Sequence, residues 1–404
     1  MEVVYNGTRR KLAVYEIPLD LLIYNKYNGR IASMVKSFER QHRELDASKE
    51  GDRVVVEKFL WESNPSRNKH TQADLALRQQ LRYGIVTRDG VIIDGNRRAL
   101  LLGKIAKEKK SLPGYFLAVI LDDTLDGNPK EIMRLETTYQ MGEDEKLGYN
   151  AIEKYLRCKD LVEQQFSIEE IAQMMSEDDD IVRKWLRTMS LMDSYLESLN
   201  YTGIYTRLDD TEGPFVDLEL YLQRYAKGTD LAMWPYEDSD VSDLNVIFFD
   251  LIRARFSGEG KLYRFAGKPS KKDSFFCNQS VWQEFSKFHF DNVDPITAQE
   301  RTVDEIRKEN PDGNLDELLK QRDKDWEAQV LPKLKENFGR SMRRLEDYNA
   351  KSAPLELLTR ALATLNTIDP TAEAFLNDAR VAAVVAQINS LTYEFRKLFK
   401  NKGN

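Results

Sequence analysis

At 404 residues the chain is too long for one ordinary core, and its length points to two or three domains. With 41% hydrophobic and 31% charged residues it falls in the folded rather than the disordered class, and a net charge of −7 argues against coating nucleic acid over the whole surface, while a local basic patch remains open to phosphate. Cys158 and Cys277 are far apart and His42, His70 and His289 are scattered, which excludes a disulfide framework and a cysteine or HExxH zinc site.

In chain order, the runs VVYNG, KLAVYEIPL, GIVTRDGVIID and YFLAVILDD are rich in Val, Ile, Tyr and Phe, and they predict strands within the first 145 residues. GIVT and VIID read as a hairpin turning at Arg88-Asp89-Gly90. Helices are predicted at 31–45 and 71–82. From residue 146 onward, LGYNAIEKYLRCKDLVEQ, SIEEIAQMMSE, DIVRKWLRTMSLMDSYLESL and DLELYLQRYAKG carry apolar residues at helical spacing, with Ser167 and Glu170 placed for a capping box. The stretch 256–274, FSGEGKLYRFAGKPSKKDS, reads as a linker or exposed loop, and NPDGN at 310–314 as a further break before long charged helices interrupted at Pro332. APLELLTRALATLNTI and AEAFLNDARVAAVVAQINSLTYEFRKLF read as amphipathic helices able to pair as a hairpin.

The expected class is therefore α+β, with a mixed α/β domain at 1–145, a helical domain at 146–255 and a helical association domain at 256–404. The last is the expected surface for a protein partner or a homodimer. No run approaches the roughly 20 apolar residues of a membrane span. The opening MEVVYNGTRRKL lacks the apolar core of a signal peptide, so no membrane partner and a cytoplasmic location are expected.

The strongest chemical signal is VIIDGNRRALLLGKIAKEKK at 91–110. Gly95 permits a tight bend, so the first amides of the following helix point at one spot. Together with the helix dipole and the forked donors of Arg97 and Arg98, the Gly95 and Asn96 amides suit a phosphate. The structural alternative is that Asp94 or Asn96 caps the helix while one arginine pairs with Asp94.

At this point the chain resembles the N-terminal domain shared by ParB partition proteins, sulfiredoxins and related nucleotide-dependent proteins. EIPLDLLIYNKYNGRI at 16–31 is similar to the family's opening strand and its arginine approach to the nucleotide. QQLRYGIVTRDGVIIDGNRRALLLGKI at 79–105 resembles the helix, hairpin and "GERR" turn, and FLAVILDDTLDGNPKEIMRLETTYQ at 116–140 the next strand and the "ENxxR" helix. FSIEEIAQMMSEDDDIVRKWLRTMSL at 166–191 resembles the family's helix-turn-helix. Asn96 stands where sulfiredoxin chemistry needs a cysteine and where partition proteins have a glutamate, and Thr137 and Gln140 replace the asparagine and arginine of the second motif.

The resemblance implies a nucleoside triphosphate of unspecified base as ligand. Arg97 and Arg98 would hold phosphates with the Gly95 and Asn96 amides, and Arg30 would approach from the first strand's end. Glu136 would help retain a magnesium ion as the metal-associated carboxylate. Asp94 would orient an arginine or act as a second carboxylate. The alternatives are an exposed Glu136 paired to a base such as Arg134 and a surface Arg30. The family's habits also suggest a bacterial or phage setting, including defence against phage.

DNA reading by the helix-turn-helix meets an electrostatic objection. Glu169, Glu170, Glu177, Asp178, Asp179 and Asp180 outnumber Arg183, Lys184 and Arg187, and three aspartates begin the recognition helix. A better nucleic-acid surface is Lys104, Lys107, Lys109 and Lys110, with Lys268, Lys271 and Lys272 between Tyr263/Phe265 and Phe275/Phe276 as a loop able to stack on single-stranded bases.

The leading expectation is a nucleotide-binding protein, an NTPase or nucleotide-gated switch, that couples the DGNRR turn to a DNA or protein partner through a hinge at 140–150 near Gly142 and Gly148. The alternatives are a non-enzymatic DNA-associated or scaffold protein whose arginine turn contacts nucleic-acid phosphate, and, more remotely, a nuclease.

Overall fold

The computed structural model describes residues 1–108, 114–143, 150–228, 231–256, 260–311 and 313–401. The chain is α+β: a small N-terminal sheet region is followed by helices. It divides into two compact units, Met1–Phe338 and Gly339–Asn404. The expected boundaries at 145 and 255 both lie inside the first of them.

β1 (Glu2–Tyr5) and β2 (Thr8–Lys11) form a separate hairpin closed by Asn6-Gly7, both in the left-handed region that a two-residue hairpin turn requires. The main sheet has the order β3 (Val14–Pro18), β7 (Tyr115–Ile120), β5 (Gly84–Val86), β6 (Val91–Asp94), β4 (Ile23–Tyr24). β5 and β6 are antiparallel, so the predicted hairpin is present, and β7–β5 and β6–β4 are parallel.

Alternation along the strands serves two cores. Val86, Ile92, Phe116 and Ala118 face one side, with α1 (Ala32–Gln41), α2 (Glu50–Glu62) and α4 (Asn96–Glu108). Ile85, Val91, Ile93 and Val119 face the other, with β1 and α5 (Pro129–Thr137). The α2 helix has no counterpart among the sequence expectations, because its Val54-Val55-Val56 run has β rather than helical propensity; burial of Val56 and Leu60 in the core decides the outcome. The helix expected at 71–82 is α3 (Pro65–Arg78). It begins earlier because the Asn64 side chain accepts from the Arg67 amide and Pro65 occupies the first turn.

The helices expected after residue 146 form as α6 (Ala151–Glu163), α7 (Ile168–Met175), α8 (Asp179–Ser198) and α9 (Glu212–Tyr225), with the Ser167/Glu170 capping box in place. They are followed by α10 (Asp238–Arg253), α11 (Gln279–Thr297), α12 (Val303–Glu309), α13 (Leu315–Asn366), α14 (Glu373–Asn377) and α15 (Ala379–Asn401).

Two expectations are corrected here. The stretch 256–274 is no free linker among its described residues, because Tyr263 and Ala266 are buried in a short 3-10 turn and Phe275 and Phe276 are fully buried behind it. Those aromatics are core, so they do not present stacking faces to bases. Nor does Pro332 interrupt its helix. Trp326, Val330, Leu334 and Phe338 are buried at four-residue spacing along α13, and this stripe carries the helix through the one backbone donor that proline lacks.

Inside the first unit, Arg253 is ion-paired to Glu300 at 2.6 Å and Asp323 at 3.0 Å and stacks 4.4 Å from the Trp326 ring, pinning α10 to α13. Both cysteines are fully buried, and burial pushes the Cys158 thiol up to about 12.

An arginine-lined candidate functional site

The β6–α4 turn is built as its sequence suggests. Gly95 has φ +102°, and a Cβ there would lie 2.6 Å from Phe116 Cζ, so both the backbone conformation and the space require glycine. Asn96 is buried; its side chain donates to the Ile92 carbonyl at 2.8 Å and accepts from the Asn25 amide at 2.9 Å. Its side chain therefore fixes the turn to the β4 loop, leaving only its amide for a ligand. Asp94 Oδ2 lies 2.6 Å from Arg98 Nη2, the orienting role considered for it.

This turn forms one wall of a cavity of about 330 Å³. Arg97 and Arg98 contribute from α4, Arg30 and Asn28 from the loop after β4, Arg67 and Thr71 from α3, Arg82 from the loop before β5, and Tyr139 and Gln140 from the π-helical turn Thr138–Glu143. Five guanidinium groups thus line one cavity, and Asp94 is its one carboxylate among the described residues. Arg98 Nε is buried with no hydrogen-bond partner among them. Sequence reasoning brought Arg30, Arg97 and Arg98 together and missed Arg67, which reaches the turn because α3 packs on α4, and Arg82, which reaches it from the loop before β5.

Glu136 does not face this cavity as a metal ligand would. It is buried, with Oε2 2.6 Å from Arg157 Nη2 of α6, and it accepts from Gln140 Nε2 at 3.2 Å. Burial pushes its carboxyl up against the pull of Arg157 and of donors from Gly29 and Asn25. Arg134, the neighbour considered for it, pairs instead with Glu131 and Glu170. Among the described residues no group of three or more His, Cys, Asp or Glu is placed to hold a metal ion. With Asp94 on Arg98 and Glu136 on Arg157, the donor set does not fit a magnesium ion held by the protein.

A second, smaller cavity of about 60 Å³ shares Arg30 and Arg97 with the first and is lined on its other side by Ser33, Glu153 and Asp209. Glu153, on α6, accepts from the Ser33 amide and hydroxyl, and burial pushes its carboxyl up to about 7. No sequence motif marks Glu153, whose neighbours in the cavity come from α1 and the segment after α8.

The remaining candidates are dispersed. Lys104 Nζ sits 4.0 Å over the Trp61 ring, Lys107 is exposed in the last turn of α4, and Lys109 and Lys110 lie outside the described residues. Most of the expected hinge, residues 144–149 with Gly148, also lies outside them. In α7 and α8, the two helices expected to form a helix-turn-helix, Arg187 is bound to buried Glu219 at 2.5 Å and Arg183 lies 4.0 Å from Glu169. Two of the three bases there are thus committed within the protein. No helix is long and apolar enough to cross a membrane among the described residues. No protein-family model matches this chain, and no curated protein matches it in sequence.

Proposed function

We propose that the chain binds a nucleoside triphosphate, with its phosphates in the arginine-lined cavity. One observation carries the reading: five arginines from four segments converge on a cavity with a single carboxylate in its lining, a concentration of guanidinium donors that suits a polyanion. The first amides of α4 add donors, and the buried Arg98 Nε supplies an unused one. Tyr139 offers an aromatic face for a base, and the volume is at the lower end of the ~300–1,000 Å³ usual for small-molecule sites. The order of strand, hairpin, arginine turn and following helix supports a ParB/sulfiredoxin-like N-terminal domain.

The route to a response is also on hand. Gln140 lines the cavity, donates to the Ile93 carbonyl at 2.8 Å and to Glu136, and Glu136 is held by Arg157 of the helical region. We infer a nucleotide-gated switch in which the ligand biases the α5–α6 junction and thereby a DNA or protein partner.

Calorimetric titration with ATP, CTP, GTP and UTP tests the ligand, with Arg97→Ala/Arg98→Ala as control. Binding of a nucleotide that the control abolishes upholds the reading. Failure of all four, with salt-sensitive binding of DNA that the same control abolishes, would replace it by direct contact with nucleic-acid phosphate.

A further inference from the structure

The small cavity beside the arginine site holds a serine and a buried carboxylate in direct contact. Ser33, at the second position of α1, donates its hydroxyl to Glu153 Oε1 at 2.5 Å, and its amide lies 3.2 Å from Glu153 Oε2. The two residues are only 6% and 4% exposed, yet both line this cavity of about 60 Å³. Its other hydroxyls are differently placed: Ser63 donates to the Leu60 carbonyl at 2.9 Å, and Thr206 Oγ1 lies 3.4 Å from Asp316. Ser33 and Glu153 are spaced as a nucleophile and its base, with the serine's own amide holding the carboxylate in register.

We propose, resting on the nucleotide reading of the adjoining cavity, that Ser33 accepts the nucleotide's terminal phosphoryl group, so that the chain phosphorylates itself with Glu153 as general base. Arg30 and Arg97 line both cavities, so guanidinium groups placed to hold a terminal phosphate also border the space that Ser33 lines. In the step, the Ser33 Oγ–H proton passes to the Glu153 carboxylate while Oγ bonds to the terminal phosphorus. The bond from that phosphorus to its bridging oxygen breaks, and the products are phosphoserine and a nucleoside diphosphate. The arginines offset the charge spread over the transferring oxygens.

The surroundings of Ser33 suit this transfer. Burial, helped by the nearby carboxylates Asp209 and Asp160, pushes the Glu153 carboxyl up to about 7, so it can take a proton near neutrality. The cavity has room for about two waters at ~30 Å³ each, the scale of one phosphoryl group. A phosphate on Ser33 lies in the first turn of a ten-residue helix, where the dipole favours negative charge, and Arg30 and Arg97 stand in the same lining as its counterions.

Intact-mass and peptide-fragmentation spectrometry of the full chain, after incubation with the magnesium salts of ATP, CTP, GTP and UTP, tests this, with Ser33→Ala and Glu153→Gln as separate variants. The expected result is one added phosphoryl group on the Ser33 peptide, absent in Ser33→Ala and formed at least about 100-fold more slowly in Glu153→Gln. The phosphopeptide of the parent chain is read directly, so the outcome stands even where a variant folds poorly. Calorimetric binding of a nucleotide with no phosphate on Ser33 would overturn the proposal and leave the binding reading intact. Binding of none of the four would overturn both. Transfer at the parent rate in Glu153→Gln would overturn the assignment of the base.

Discussion

Glu136 of α5 and Arg157 of α6 lie 2.6 Å apart with both side chains 3% exposed, so the sheet region and the helical region are joined by an ion pair that water scarcely reaches. The pair is placed directly behind the arginine cavity, one hydrogen bond from Gln140 in its lining. Its energetics differ from those of a surface bridge. Both charges have lost their hydration, and removing one strands the other.

Glu136→Gln should therefore destabilise the first unit by about 3–5 kcal/mol, the range for breaking a buried pair. Glu136→Gln/Arg157→Met should recover much of that loss, because the stranded guanidinium goes with its partner. Urea unfolding of both variants measures the difference; equal midpoints for single and double variants would contradict it.

Arg67→Ala/Arg82→Ala tests the contribution of α3 and the β5 approach to ligand binding. Charge-assisted contacts contribute about 1.5–3 kcal/mol each, so nucleotide affinity should fall at least about tenfold. The fold should be retained, as Arg82 is exposed and Arg67 half-buried. Calorimetry showing an unchanged affinity would remove these two residues from the site.

Glu153 predicts a pH dependence of stability. Its folded carboxyl sits near 7 against about 4.3 in an unfolded chain, so between those values the native state holds the extra proton. Stability contributed there falls as pH rises from about 4 to 7, by about 4 kcal/mol at 1.36 kcal/mol per unit. Glu153→Gln keeps an acceptor for Ser33 and removes the titration. Plots of unfolding free energy against pH should converge at low pH and separate above neutrality, with the glutamine variant the more stable. Parallel plots would show that Glu153 titrates normally.

Gly95→Ala should cost about 1–3 kcal/mol, through the positive φ and through displacement of the Phe116 ring. Because Phe116 is a core residue on β7, thermal unfolding reads the effect directly, and an unchanged midpoint would contradict the assignment of Gly95 as sterically required.

The strands and the arginine turn were legible because their signals are local: β-branched runs bounded by turn residues, and a glycine between Asp94 and Asn96. The α2 helix was not, since its three valines misstate its conformation and only tertiary burial corrects them. Arg67 and Arg82 were invisible for a different reason. Arg67 reaches the turn through the packing of α3 on α4 and Arg82 through the loop before β5, neighbour relations that no spacing in the sequence encodes. Glu136 shows the same limit, because local reasoning pairs it with Arg134 two positions away, whereas the fold supplies Arg157 from another helix. Tyr263, Phe275 and Phe276 suit a binding loop by composition, and their burial assigns them to the core, with Phe265 half-buried beside them.

The burial of the chain's two thiols gives the protein a pair of internal clocks. Cys158 lies on α6 beside Met175, and Cys277 lies just before α11, 3.4 Å from the Tyr225 hydroxyl. An alkylating reagent reaches neither sulfur until its surroundings open, and the raised ionisation of Cys158 slows attack further. The labelling rate at each sulfur therefore reports the local opening equilibrium of its own neighbourhood. Comparing the two rates with and without ligand separates tightening around α6 from tightening around α11, with no probe attached to the molecule.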